Sequence, residues 1–271
     1  MVASDKVFAG SIPEIYDRLL VPLIFEPYAR DLAGRLAETA PGHVLETAAG
    51  TGVLTRAMAS ILPADARIVA TDLNQPMLDR AAALSSGDGR IEWRQADALA
   101  LPFADQSFDA EACQFGAMFF PDKVLGYQEA RRVLRPGGRF FFNVWGPISD
   151  NEFADTVTDA LAVLFPHDPP RFMARTPHGY HDVDRIRQEL DAAGFTAVSI
   201  DTVDHQSRAA SPREAAIAYC QGTPLKNEIE ARDASSLETA TQQAAEALAR
   251  RFGAGAIEGR IQALVITASR G

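Results

Sequence analysis

The stretch VLETAAGTGV, residues 44–53, carries two glycines spaced by one residue, Gly50 and Gly52, between a strand-like apolar start and a helix-like apolar continuation. Glycines at that spacing let a backbone come close to a ligand, and the helix that follows turns its free N–H groups toward it. A dinucleotide, a nucleotide phosphate and S-adenosylmethionine can each use such a turn, so the turn alone does not choose among them. Reactive side chains elsewhere are sparse. Cys113 and Cys220 are the only cysteines, too few and too far apart for a disulfide framework or a zinc cluster, and they are read as packing residues. His178 and His181 in PHGYH have a spacing that suits a metal, but no cysteine or third ligand lies nearby, so no metal is expected.

The turn needs a rigid frame, and residues 40–145 supply one. Short β-branched or aromatic runs alternate there with longer amphipathic ones, the pattern of an α/β parallel sheet covered by helices on both faces. Strands are expected at HVLETA, ARIVATD, RIEWRQ, FDAEAC and GRFFFNVW. The helix after the glycine turn places Val53, Leu54, Ala57, Met58 and Ile61 on one face. Asn74 is expected to cap the next helix, and Asp122 opens another that ends at Arg135-Pro136-Gly137-Gly138. Beyond Trp145, a helix near EFADTVTDALAVLF precedes an irregular PHDPPRFMARTPHGYH loop. A helix through DVDRIRQELDAAG, capped by Asp182 or Asp184, then leads to a strand at FTAVSIDTV. SPREAAIAYCQ and SSLETATQQAAEALARRFG follow as helices, the latter with capping-box spacing between Ser235 and Glu238, and IQALVITAS is the last strand.

The 271 residues are enough for a full core, and 47% hydrophobic with 23% charged residues describes an ordinary globular chain. A formal charge of -10 repels a phosphate backbone, which argues against a nucleic-acid partner. No signal-type apolar core or membrane-length apolar run is present, so a cytoplasmic location and no membrane span are expected.

A dinucleotide fingerprint reads GxGxxG or GxGxxA, and counting from Gly50 its third small position falls on Thr55. Counting from Ala48 gives Ala-x-Gly-x-Gly, closer to the glycine loop of class I methyltransferases. With TDLNQPML, RQADALALPFADQSFD, CQFGAMFFPD and EARRVLRPGGRFFFNVW following in order, the chain resembles the S-adenosylmethionine-dependent methyltransferases of the ubiquinone/menaquinone-biosynthesis, UbiE-like type. The resemblance covers about residues 44–145. It implies a Rossmann-like, doubly wound, seven-stranded and mostly parallel sheet with the last strand antiparallel, plus a helical lid made by insertions. The implied ranges are an N-terminal helical cap over 1–40, a cofactor-binding core over 41–146, lid insertions at 147–181 and 206–257, and the rest of the sheet at 182–205 and 258–271.

The resemblance also implies a site. Asp72 at the second strand end suits both ribose hydroxyls, since a carboxylate only accepts, with Leu73 and Met77 beside it. Asp97 is expected to bind the adenine amine and the Ala98 N–H a ring nitrogen. Gln114 and Phe115, with Gly116, border the methionine part. Glu46 orients the loop or approaches the ammonium, and Tyr16 offers a ring to the sulfonium or reaches the carboxylate. Tyr28 and Arg30 are further candidates for the carboxylate. Ala48 stands where many relatives carry glycine, and ordinary strand dihedrals are expected there because alanine disfavours positive φ.

Methyl transfer needs an in-line attacking atom and, for a hydroxyl or acidic carbon, a base. His167, His178, His181 and His205 are the candidates, foremost His178 and His181, against the plainer reading of exposed loop histidines. Phe115, Met118, Phe119, Phe120, Trp145, Phe165, Phe172 and Met173 can line an apolar pocket or fill the core. The expected activity is methyl transfer to a small apolar or aromatic acceptor by a monomer or homodimer. A protein or nucleic-acid methyltransferase, a cofactor-binding member of the fold with another activity, and a nicotinamide dehydrogenase are the alternatives.

Overall fold

The computed structural model describes residues 5, 7–8 and 10–271. A helical run opens with α1 (Ile12–Ile15), continues as a π-helical stretch (Tyr16–Phe25) and ends as α2 (Glu26–Ala37). Then follow β1 (His43–Glu46), α3 (Val53–Ile61), β2 (Arg67–Asp72), α4 (Gln75–Leu84), β3 (Ile91–Gln95), β4 (Phe108–Gln114), α5 (Lys123–Val133) and β5 (Leu134–Trp145). The remainder comprises α6 (Glu152–Leu164), α7 (Phe172–Arg175), α8 (Val183–Ala192), β6 (Thr196–Ala209), α9 (Pro212–Gln221), α10 (Leu225–Arg232), α11 (Leu237–Phe252) and β7 (Ile257–Ser269). The chain forms two compact units, one of residues 1–26, 145–180 and 204–262, the other of residues 27–144, 181–203 and 263–271. α2 therefore belongs to the second unit from Pro27 onward.

The sheet order is β3-β2-β1-β4-β5-β7-β6. β1 is central and pairs in parallel with both β2 and β4, so the chain winds outward one way through β2 and β3 and the other way through β4 and β5. Such a reversal opens a crevice at the carboxyl ends of the strands. β7 runs antiparallel to β5: Gly137 N–H donates to Arg270 O, whereas Gly146 N–H donates to Gln262 O. Leu32 and Leu36 of α2, Met58 of α3 and Ile68, Ala112 and Phe141 of the strands form one buried layer. Leu45, Val69, Phe108 and Val133 form another. Each of the larger side chains among them contributes roughly 1.5–3 kcal/mol by leaving water.

Local chemistry explains some helix starts. Asp122 caps α5 by accepting from Leu125 N–H, Asp182 caps α8, and Ser211 caps α9 with Pro212 at its first turn. Several expectations are corrected. The Asn74 side chain does not cap α4 but donates to Asp72. α11 starts after Ser236 with no side-chain cap, because Ser235 Oγ is drawn to Asp233 instead. Ile61 is half exposed, since α3 is spent by its last turn. The PHDPPRFMARTPHGYH stretch, expected as an irregular loop, contains α7. Leu134 to Gly138 belongs to β5 rather than to a turn after α5.

In the first unit, Pro22 lies within the π-helical stretch and supplies no amide donor, so an ordinary α-helical ladder cannot run through it. Phe153 of α6 meets Phe252 of α11 edge-on at 5.0 Å. Asp5, nearly fully buried, accepts from Thr176 Oγ1 and from Arg175 Nη2, which also reaches Glu228.

Two carboxyl groups are buried in the second unit's sheet. Burial pushes Glu111 up to about 8, against a hydrogen bond from Thr47 Oγ1, and its Oε2 has no hydrogen-bond partner. Burial likewise pushes Glu46 up to about 8, opposed by the Thr55 hydrogen bond and by Arg56. A folded chain that holds these protons more tightly than the unfolded chain loses stability as pH rises from the ordinary carboxyl value of 4.5 through about 8. Thermal unfolding of the wild type between pH 5 and 9 is therefore expected to show a falling Tm that levels above about pH 8. Glu111→Gln should make that fall shallower; an identical slope in the variant would mean that Glu111 does not hold its proton.

Candidate functional site

The crevice at the switch point is built from the turns that follow β1, β2 and β4. After Glu46 the backbone makes an irregular turn in which Ala48, Gly50 and Gly52 all have positive φ, at 54°, 58° and 79°. The expected strand dihedrals at Ala48 are thus incorrect: the turn holds an alanine in the left-handed region, where its Cβ is crowded. Packing supplies the reason. A Cβ placed on Gly116, in the turn after β4, would lie 2.4 Å from the Ala48 Cβ and 2.7 Å from Cys113 Sγ. The two turns meet with room for one methyl group only.

Asp72 ties the glycine turn to the end of β2. Its Oδ2 accepts from Gly50 N–H at 2.9 Å, and its Oδ1 accepts from the Asn74 backbone N–H at 2.8 Å and from Asn74 Nδ2 at 3.3 Å. Burial raises its pKa, and the Asn74 and Gly50 hydrogen bonds work in the opposite direction. The Leu73 backbone N–H also works to lower it, so the Gly50, Leu73 and Asn74 amides and the Asn74 side chain all meet this carboxylate. Glu46, on the opposite side of the turn, accepts from Thr55 Oγ1. Thr55, which breaks the dinucleotide pattern in sequence, is fully buried and serves as the partner of Glu46.

Gly52 precedes α3 without any side-chain cap, so the first-turn N–H groups are left for a ligand. A Cβ on Gly52 would lie 2.7 Å from Trp93, which packs against the turn. Thr51 Oγ1 is buried with no hydrogen-bond partner. Leu73, next to Asp72, is a large apolar side chain left 45% exposed, whereas Met77 is buried. Asp97 is exposed and folds its own turn by accepting from Leu99 N–H at 2.9 Å, and Ala98 follows it, half-buried. Phe115 takes φ of 50°, with Gln114 buried before it. A cradle of backbone N–H groups, an orphaned hydroxyl, an accepting carboxylate and an exposed apolar side chain fits a nucleoside joined to a charged amino-acid end.

The second unit carries Glu46, Asp72 and Gln114 as the last residues of β1, β2 and β4, has Ala48, Gly50, Gly52, Leu73, Asp97, Ala98 and Phe115 in the loops that follow strands, and has Met77 in α4. Tyr16 lies in the first unit, stacked on Phe25 at 5.0 Å. Tyr28 is fully buried, its OH donating to Val203 O at 3.1 Å and its ring edge-on to Phe115, which removes it from the carboxylate candidates. Arg30 is exposed. His178 is 4% exposed, contrary to the plain reading of a solvent-facing loop histidine. Its Nδ1 lies 3.0 Å from Gly146 O, and because a carbonyl only accepts, Nδ1 carries the proton and Nε2 is the basic nitrogen of the neutral ring. His181 and His205 are half-buried and His167 is exposed. Met118, Phe120, Trp145, Phe172 and Met173 are buried, and Phe119 and Phe165 are partly so. Cys113 and Cys220 are both buried free thiols. No group of three or more metal-ligating side chains occurs among the described residues.

The sequence profile of the family described as Methyltransferase domain matches residues 45–142. The chain is 34% identical over 168 residues to a ubiquinone/menaquinone biosynthesis C-methyltransferase UbiE of Hahella chejuensis, covering 58% of this chain and 68% of that protein. It is 28% identical over 209 residues to a demethylmenaquinone methyltransferase of Deinococcus radiodurans, covering 71% of this chain and 85% of that one. Among solved structures, a Haemonchus contortus phosphoethanolamine N-methyltransferase 2 in complex with S-adenosyl-L-methionine superposes with a TM-score of 0.59 at 14% identity, over 96% of this chain and 56% of that chain. This is an S-adenosylmethionine-dependent methyltransferase. The chain belongs to the UbiE-like family of these enzymes.

The contact between Ala48 and Gly116 makes a double test. Ala48→Gly should raise stability by about 1 kcal/mol by relieving the left-handed alanine. Gly116→Ala should lower Tm and weaken S-adenosylhomocysteine binding about tenfold or more, and the double variant should recover part of both losses. Strict additivity in the melting and titration data would show that the two turns do not touch in solution.

Proposed function

We propose that this methyltransferase acts on a small, apolar aromatic acceptor, and that a ring carbon of a reduced quinone is the first candidate. The preformed cradle between the β1, β2 and β4 ends carries the cofactor half of this reading. The quinone-biosynthesis activities for which the Hahella and Deinococcus relatives are named support the acceptor half. The charge of -10 speaks against a nucleic-acid acceptor. No helix among the described residues is long and apolar enough to cross a membrane. The reading takes the enzyme to be cytoplasmic, and a monomer or homodimer.

Within this reading Asp72 receives a ribose hydroxyl, and Asp97 with the Ala98 N–H takes the adenine beside Leu73 and Met77. Glu46, Ala48, Gly50, Gly52, Gln114 and Phe115 border the methionine end. The bound cofactor supplies an electrophilic methyl group, and the protein's own share is alignment and exclusion of water. A cationic ligand would draw the proton from Glu46, since an adjacent positive charge favours the ionised carboxylate. The helices of the first unit, with the inserted segments 147–181 and 206–257, are assigned to acceptor recognition. His178 and His181 are the base candidates, and of the two His178 has its basic nitrogen defined.

Incubation with methyl-labelled S-adenosylmethionine and separate pools of reduced quinones, small phenols, peptides and tRNA tests the acceptor class. Label is expected in the small aromatics; label confined to peptide or tRNA would overturn the reading. Asp72→Ala should weaken S-adenosylhomocysteine binding by more than about tenfold, the scale of a lost hydrogen bond to a charged group. An unchanged affinity would mean that the ribose is assigned to the wrong residue.

A further inference from the structure

Asn143 is fully buried on β5, directly opposite Gln114 of β4. Its Oδ1 accepts from Phe115 N–H at 2.9 Å, the same amide that reaches the Asn143 backbone carbonyl at 3.2 Å. Its Nδ2 is buried and has no hydrogen-bond partner. Native structures leave few buried donors unpaired, because such a group loses its water without replacement. Leucine has nearly the same shape and would carry no such cost, so the amide needs a reason at this position.

Oδ1 supplies half of the reason. It secures Phe115 at φ of 50°, a conformation that a bulky residue keeps only when its surroundings impose it. Gly116 then follows against Ala48, so the asparagine fixes the turn that closes on the glycine turn. The other half is a donor awaiting an acceptor. An N–H suits neither an ammonium nor a sulfonium. The ribose end is remote, because β5 lies three strands from β2 in the sheet, about 14 Å at the usual spacing. The anionic oxygen that a cofactor with its ribose at Asp72 would bring toward β4 and β5 is its amino-acid carboxylate.

We propose that Asn143 has two functions: it positions the β4 turn through Oδ1, and its Nδ2–H donates to the α-carboxylate of bound S-adenosylmethionine. This rests on the cofactor reading given above. Asn143→Asp keeps an acceptor for Phe115 N–H and turns the free donor into an oxygen that repels a carboxylate. Asn143→Leu removes both functions and adds no buried charge. Both variants are to be titrated calorimetrically with S-adenosylhomocysteine and with 5′-methylthioadenosine, which lacks the amino-acid end, alongside thermal melts.

S-adenosylhomocysteine affinity is expected to fall about tenfold or more in both variants while 5′-methylthioadenosine affinity stays within about twofold, as for one charge-assisted hydrogen bond lost. Asn143→Leu should also melt lower, since it releases Phe115. Retained 5′-methylthioadenosine binding certifies a folded site, and if Asn143→Asp does not fold, Asn143→Leu decides. Equal losses for the two ligands, or an unchanged S-adenosylhomocysteine affinity, overturn the inference. Failure of the wild type to bind either ligand would overturn the cofactor reading instead.

Discussion

Everything at this site depends on how closely two turns approach. The loop after β1 and the loop after β4 meet at Ala48 and Gly116, where a second methyl group would sit 2.4 Å from the first. The approach forces left-handed backbone at two non-glycine residues, Ala48 and Phe115, a conformation worth a penalty on the order of 1–2 kcal/mol per residue. Such strain persists only where neighbours hold it, and the neighbours are identifiable: Asp72 grips the amide of Gly50, and Asn143 grips that of Phe115. The cradle is therefore set before a ligand arrives, which lowers the ordering cost of binding.

The same strand ends concentrate buried acid. Glu46 and Asp72 flank one turn, and burial raises the pKa of each. The Glu46 carboxyl, pushed up to about 8, becomes favourable as an anion once a cation is near. Glu111 differs: its Oε2 meets no partner and its proton is held beneath the turn, with Thr47 as its hydrogen-bond donor. It makes the core less stable than an apolar residue would.

Much of this was legible in sequence. Alternating apolar runs, the caps at Asp122 and Asp182, and the glycine spacing all reflect local rules that act within a few residues, and the sheet follows from them. What stayed hidden depends on contacts distant along the chain. Alanine argues locally against positive φ, and only Gly116, far along the chain, explains why Ala48 adopts it. Thr55 looked like a missing small residue, yet it is the hydrogen-bond partner of Glu46. Asn74 looked like a helix cap, but Asp72 competes for its amide. α7 lies among prolines that suggest a loop, yet it carries the buried Phe172. Asn143 gave no signal at all, being one polar residue in an apolar strand.

The central claim is that this cradle takes a nucleoside bearing an amino-acid end and not a dinucleotide. Calorimetric titration of the intact protein with S-adenosylhomocysteine and, separately, with NAD tests it most directly. One saturable site for S-adenosylhomocysteine and no heat of binding for NAD is the expected result; saturable binding of NAD alone would contradict it.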